Sequence, residues 1–167
     1  MKKYFKTLSY LLLISLLFLN PVYLNASIPT TITSTSNAEF KKLITQFISD
    51  LNTIQNRIFR ASQLTIEQPL KSSLLKSELN SINSDITKLR KQVVDYDSTI
   101  PNNDLRSSIL LLLRSAINDT QNSLYQLDSL SSASNSLDKI LLLEDYFQFK
   151  KSGEQTLNEV EKRLSRY

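Results

Sequence analysis

The sequence predicts an all-α protein: an antiparallel up-down-up-down four-helix bundle spanning residues 37–167, preceded by a signal peptide. Three observations lead there. Turn-forming residues are scarce, with one Gly (Gly153) and four Pro in 167 residues, too few for the frequent turns of a sandwich or barrel. Apolar residues recur at alternating spacings of four and three through four successive segments, which is the signature of one-sided helices. The links between those segments are short, and short links join antiparallel neighbours.

The chain opens with an export signature. Lys2, Lys3 and Lys6 form a short positive region, Leu8 to Leu19 an apolar stretch broken only by Ser and Tyr, and Asn20-Pro21 its end. Ala26 then offers a small residue for cleavage before Ser27, completing the three-part layout of a signal peptide over residues 1–26. The apolar stretch is shorter than the roughly 20 residues of a membrane span. Leu24 fits an A-x-A site poorly, so an uncleaved anchor is the alternative to cleavage after Ala26. Membrane contact is expected through this segment only, and without Cys it cannot be a lipoprotein signal. Residues 27–36, SIPTTITSTS, lack helical periodicity and read as a flexible Ser/Thr-rich spacer.

Charge and composition exclude several classes of function. The chain has 20 basic and 16 acidic residues; three of the basic ones lie in the signal, leaving 17 against 16. That balance provides no electrostatic footprint for nucleic acid. There is no His and no Cys, which removes disulfides, Cys nucleophiles, His-based triads and most zinc or copper sites. The 141 residues after position 26 suit one domain, held by its core and burying roughly two-thirds of its surface.

The first helix begins at a capping box, Ser36-Asn37-Ala38-Glu39, in which side chains satisfy free N–H groups at the helix start. Phe40, Ile44, Phe47, Leu51, Ile54 and Ile58 form its stripe, widened by Leu43 and Ile48. Pro69 suits the first turn of the second helix, whose seam Leu75, Leu79, Ile82, Ile86, Leu89, Val93 and Tyr96 has the cleanest heptad rhythm in the chain. That rhythm serves packing within the bundle or an intermolecular coiled coil. Asp95 and Asp97 oppose the helix dipole at its end, and Pro101 enforces a break.

The third helix starts among Pro101, Asn102, Asn103 and Asp104 and carries the seam Leu110, Leu113, Ile117, Thr120, Leu124 and Leu127. Its first half bears a second stripe, Leu105, Ile109, Leu112 and Ala116, so that Ile109 to Leu113 is apolar all round. The Ser-rich run from Ser131 to Ser136 predicts a turn, with one continuous helix as the alternative. The last helix places Leu142, Tyr146, Phe149, Gly153, Leu157, Val160, Leu164 and Tyr167 on one stripe. Gly153 on a buried face costs about 1 kcal/mol against Ala, which close approach of a neighbouring helix would offset. Lys162, Arg163 and Arg166 suit the dipole at the C-terminus.

No arrangement of residues proposes catalysis. Ser73-Leu74-Leu75-Lys76 matches the S-x-x-K nucleophile pattern of penicillin-binding proteins and β-lactamases, but the S-D-N and K-T-G partners and a sheet pattern are missing. Ser136-Leu137-Asp138-Lys139 matches equally well, which shows how cheap the pattern is in a Ser-rich chain. Glu144 and Asp145 diverge by about 100° on a helix and cannot converge on one bond. Asp95 and Asp97 read as solvated charge. A di-metal bundle would want E-x-x-H motifs, and His is absent.

Two constellations remain. Leu105, Ile109 and Leu112 are the candidate surface for a protein or envelope partner, or for a second copy of the chain; the alternative is burial on two sides within the bundle. Tyr146, Phe149 and Gly153 are the candidate small-ligand pocket, with ordinary core as the alternative. The expected function is that of an exported, non-enzymatic interaction protein of the bacterial envelope or surface, without a cofactor or metal. An extracytoplasmic small-ligand binding or sensing bundle is the second reading. A membrane-active helical protein, suggested by Ile109 to Leu113, is the third.

Overall fold

The structure, a computed structural model, describes residues 36–67, 72–101 and 104–166. The expected signal peptide, its cleavage after Ala26, residues 27–35 of the spacer, Pro69, Asn102, Asn103 and Tyr167 lie outside the described residues. Among the described residues there are four helices and no strand: α1 (Asn37–Glu67), α2 (Ser72–Asp97), α3 (Leu105–Ser132) and α4 (Ser136–Ser165).

Local side-chain chemistry sets the ends. At the start of α1 the Glu39 N–H donates to Ser36 Oγ at 3.2 Å, and the Ser36 N–H donates to the Glu39 carboxylate at 3.0 Å. This is the capping box. After α2 the chain turns through N–H bonds from Ser98, Thr99 and Ile100 to Val94, Tyr96 and Asp97 carbonyls, and Ile100 folds into the core. Asp104, in extended backbone, caps α3 by accepting from Arg106 N–H at 2.9 Å. Ala133 and Asn135 are both extended, and the Asn135 side chain accepts from Leu137 N–H at 2.8 Å, so α3 and α4 are separate helices. The Ser131 and Ser132 hydroxyls donate back to the Asp128 carbonyl, the local competition that makes a Ser run a poor helix interior.

The helices are unequal in their number of neighbours. α1 and α3 each pack against all three other helices, whereas α2 and α4 do not touch among the described residues. This arrangement explains the widths of the apolar faces. On α1, Ile48 and Ala61 are buried beside Phe40, Ile44, Phe47, Leu51, Ile54 and Ile58, and Leu43 packs against them. On α3, Ile109 and Ala116 are buried beside Leu110, Leu113, Ile117, Thr120, Leu124 and Leu127. On α2 and α4 single stripes suffice: Leu79, Ile82, Ile86, Leu89 and Val93 on one, Tyr146, Gly153, Leu157, Val160 and Leu164 on the other.

Specific contacts set the register. Phe40 on α1 stacks on Tyr96 of α2 at 6.3 Å between ring centroids, while Arg57 further along α1 reaches back to Glu78 at 2.9 Å and to Asp85. Between α2 and α3, Lys76 meets Asp128 at 2.7 Å, Asn83 meets Gln121, Arg90 meets Asn118 at 3.1 Å, and Asp97 meets Arg114 at 3.0 Å. Arg114 therefore offsets the unfavourable placement of Asp97 at a helix C-terminus. The α3–α4 pair is the most extensive. A Cβ on Gly153 would stand 3.4 Å from Asp119 Cβ and Thr120 Oγ1 and 3.5 Å from the Ala116 carbonyl oxygen. The expected close approach at Gly153 is present.

Candidate interaction surface

Leu105, Ile109 and Leu112 do not form one exposed face. Leu105 is 77 % exposed, Leu112 is half-buried and packs against the core, and Ile109 is 3 % exposed. As a three-residue partner surface the set is corrected. The neighbours of α3 take up Ile109 and Ala116 and partly cover Leu112, but leave Leu105 outside. Leu111, expected on no particular face, is 64 % exposed and lines a groove of ≈ 430 Å³ with Val94, Asp97, Ser98, Ser107 and Arg114.

Tyr146, Phe149 and Gly153 lie on one side of α4, with Gly153 against α3 and Tyr146 near Ser62 of α1. Tyr146 is fully buried, Phe149 half-buried, and Gly153 pressed against α3. They line neither the groove at Leu111 nor a second groove of ≈ 260 Å³ between α1 and α2, walled by Asp50, Thr53, Arg57, Asp85, Lys88 and Gln92. The Tyr146 ring meets Phe147 edge-on at 5.1 Å. Its hydroxyl has no hydrogen-bond partner among the described residues. Burial pushes the phenol pKa up; the Ser62 hydroxyl, near the phenol but donating to Phe59 rather than bonding it at ordinary length, and the Lys150 charge pull it the other way. Ser62 itself donates to the Phe59 carbonyl at 2.7 Å, and Lys150 lies over the Phe59 ring at 5.6 Å and pairs with Glu154 at 2.5 Å.

The catalytic patterns find no supporting geometry. The Lys76 ammonium is engaged by both Asp128 oxygens, at 2.7 and 2.8 Å. Ser136 and Lys139 are both exposed at the start of α4. Glu144 and Asp145 point to different sides of α4, and Asp97 is paired with Arg114. Among the described residues no group of three or more carboxylates could hold a metal ion, and no helix is long and apolar enough to cross a membrane.

Among the described residues, the largest run of exposed apolar side chains lies elsewhere. Leu137, Ile140, Leu141 and Phe147 on the first half of α4 are 61, 62, 52 and 49 % exposed. At about 100° per residue Leu137, Ile140 and Leu141 fall on the side away from Tyr146, Gly153 and Leu164, the inward face of α4, and Phe147 flanks them about 100° from Tyr146. The face exists because α4 has few neighbours there: α2 does not reach it, and α1 packs against it lightly. Glu144, two turns after Leu137, sits in the middle of this face, with Gln148 Nε2 donating to it at 3.4 Å. The signal was present in the sequence, since Ile140 to Leu143 is apolar all round as Ile109 to Leu113 is. Periodicity alone does not say which of two such runs is enclosed. The chain matches no family model, no curated protein and no solved structure.

Proposed function

We propose that this chain is an exported, non-enzymatic helical bundle of the bacterial envelope or cell surface, and that it binds a protein or envelope component through the outer face of α4. The carrying observation is the exposure of Leu137, Ile140, Leu141 and Phe147 on one side of one helix. Contiguous apolar surface on a soluble domain marks interaction sites. Covering what these side chains still expose supplies on the order of 5 kcal/mol, a useful share of a micromolar contact. An up-down-up-down order is supported by the register: positions rising along α1 meet positions falling along α2, and α2 and α3 are related in the same way. Export is supported by Lys2 through Ala26.

The test is recovery of a partner from envelope fractions of cells that make the protein, with wild type and a Leu137→Gln/Ile140→Gln/Leu141→Gln variant side by side. The expected result is a discrete partner retained by wild type and lost by the variant, with the wild type found outside the cytoplasm. Equal recovery by both proteins counts against the α4 face, and a cytoplasmic wild type counts against export.

A second reading, a small-ligand sensing bundle, is favoured by one observation: the fully buried Tyr146 hydroxyl without a protein partner among the described residues. Thermal shift against a metabolite panel tests it, because a ligand that uses this hydroxyl must lose its effect in Tyr146→Phe.

A further inference from the structure

Along its apolar stretch, from Leu137 to Phe147, the outer face of α4 carries only acidic charge; the exposed Lys151 follows one turn beyond Phe147. Glu144 lies within the stripe, and Asp138 and Asp145 run along its edge on the side of α3; all three are exposed. None of the three is paired with a cation among the described residues, whereas Lys76, Arg57, Arg114 and Lys150 are all committed elsewhere. Lys139, the one basic residue in this stretch, projects from another side of the helix at about 100° per residue. From residue 115 to residue 149 the chain holds five acidic residues and one basic one, and Lys150 and Lys151 follow directly. Burying a lone carboxylate against an apolar partner costs several kcal/mol, so whatever covers Glu144 must bring a compensating cation.

A second copy of the chain does not meet that requirement. Stacking the two stripes about a two-fold axis, so that Leu137 faces Phe147, brings the two Glu144 carboxylates to within about one turn of each other. Sliding the register to set Lys151 on Glu144 places Leu137, Ile140 and Leu141 against Asn158, Gln155 and Glu154, and the apolar contact is lost. An anionic lipid surface is repelled by the same three carboxylates.

We infer that the segment seated on this face is a basic amphipathic helix of another protein, with apolar residues on one side laid along Leu137, Ile140, Leu141 and Phe147 and Lys or Arg set against Glu144, Asp138 and Asp145. This rests on the reading of α4 as an interaction face. It is a helix laid on a helical surface, read through side chains three and four apart, with opposite charge at the rim setting partner choice.

The experiment is a fluorescence-anisotropy titration of the folded protein with three labelled peptides of roughly 18 residues, long enough to form a helix. Their Leu pattern is shared, and their polar positions are Lys, Glu or Gln. The proteins are wild type, Leu137→Gln/Ile140→Gln/Leu141→Gln, and Glu144→Gln/Asp145→Asn; all changes point outward, and circular dichroism verifies folding. The Lys peptide is expected to bind wild type at least about tenfold tighter than the Glu peptide. The apolar variant is expected to lose that binding, and the charge variant to weaken it about tenfold, as raised salt does. Equal binding of all three peptides, lost in the apolar variant, overturns the basic partner and leaves the face standing. No peptide binding together with a wild-type dimer that the apolar variant dissolves overturns it in favour of a second copy. Flotation of wild type, but not the apolar variant, with phosphatidylcholine vesicles overturns it in favour of a lipid surface. Lys-peptide binding unaffected by the apolar variant, or a monomer that binds nothing, overturns both this inference and the reading it rests on.

Discussion

Gly153 of α4 stands directly over Thr120 of α3: a Cβ on the glycine would lie 3.4 Å from the threonine Oγ1. That oxygen is already engaged, donating to the Ala116 carbonyl at 2.8 Å and accepting from Gln55 of α1 at 3.1 Å. Three helices thus meet at one hydroxyl. The spacing admits one methyl group at ordinary contact and nothing larger. Gly153→Ala is expected to stabilise the fold by up to about 1 kcal/mol through helix propensity, whereas Gly153→Leu is expected to destabilise it by about 1–3 kcal/mol through overpacking. Urea unfolding of the two variants checks the opposite signs.

Tyr146→Phe removes a buried hydroxyl that has no protein partner among the described residues. An unsatisfied buried polar group costs about 1–3 kcal/mol, so the variant is expected to match or exceed wild type in stability. A drop of more than about 1 kcal/mol in urea unfolding would show that the hydroxyl has a partner of that worth.

Asp104 links the start of α3 to pH. The hydrogen bond from the Arg106 guanidinium, then that from the Arg106 backbone N–H, hold its pKa below the ordinary value. The native state therefore favours the charged form more than the unfolded chain does. The resulting stability is fully present above the unfolded pKa of about 3.9 and is lost as pH falls through the lower folded value. Wild type should melt above Asp104→Asn at neutral pH, and the gap should close under acid below about pH 4. Asp104→Ala, which also loses the cap, should cost about 1 kcal/mol at neutral pH. A gap that stays constant to low pH contradicts the assignment.

Arg57 joins α1 to α2 by reaching Glu78 at 2.9 Å, Asp85, and Ser81 Oγ at 3.0 Å. Both carboxylates are more than a third exposed, so solvent screens the pairs. Arg57→Met is expected to cost about 1 kcal/mol at low salt and less as salt rises, as followed by thermal melts across a salt series.

Much of this fold was legible locally. The Ser36–Glu39 box, the break after Ser132, the inward placement of Gly153 and the central residues of each helix seam depend on each segment's own spacing and capping chemistry. The split of Leu105, Ile109 and Leu112 was not legible, because it depends on how many neighbours α3 has. A helical stripe reports what one helix can bury, not how many others arrive to cover it. α1 and α3 touch every other helix and absorb much of their extra apolar width, Leu105 and Leu111 excepted; α4 lacks a contact with α2, and Leu137, Ile140 and Leu141 stay outside. Of the two similar apolar runs, the one on α4 leaves more of its side chains exposed.

The chain contains no Cys, so a single introduced thiol reports its own surroundings. Maleimide labelling of Ile140→Cys and Ile109→Cys in the folded protein, each against its urea-unfolded control, tests most directly whether the outward apolar face belongs to α4. The account predicts that the thiol at 140 reacts nearly as fast as in the unfolded chain while the thiol at 109 is strongly protected. Protection at 140 together with free reaction at 109 would contradict it.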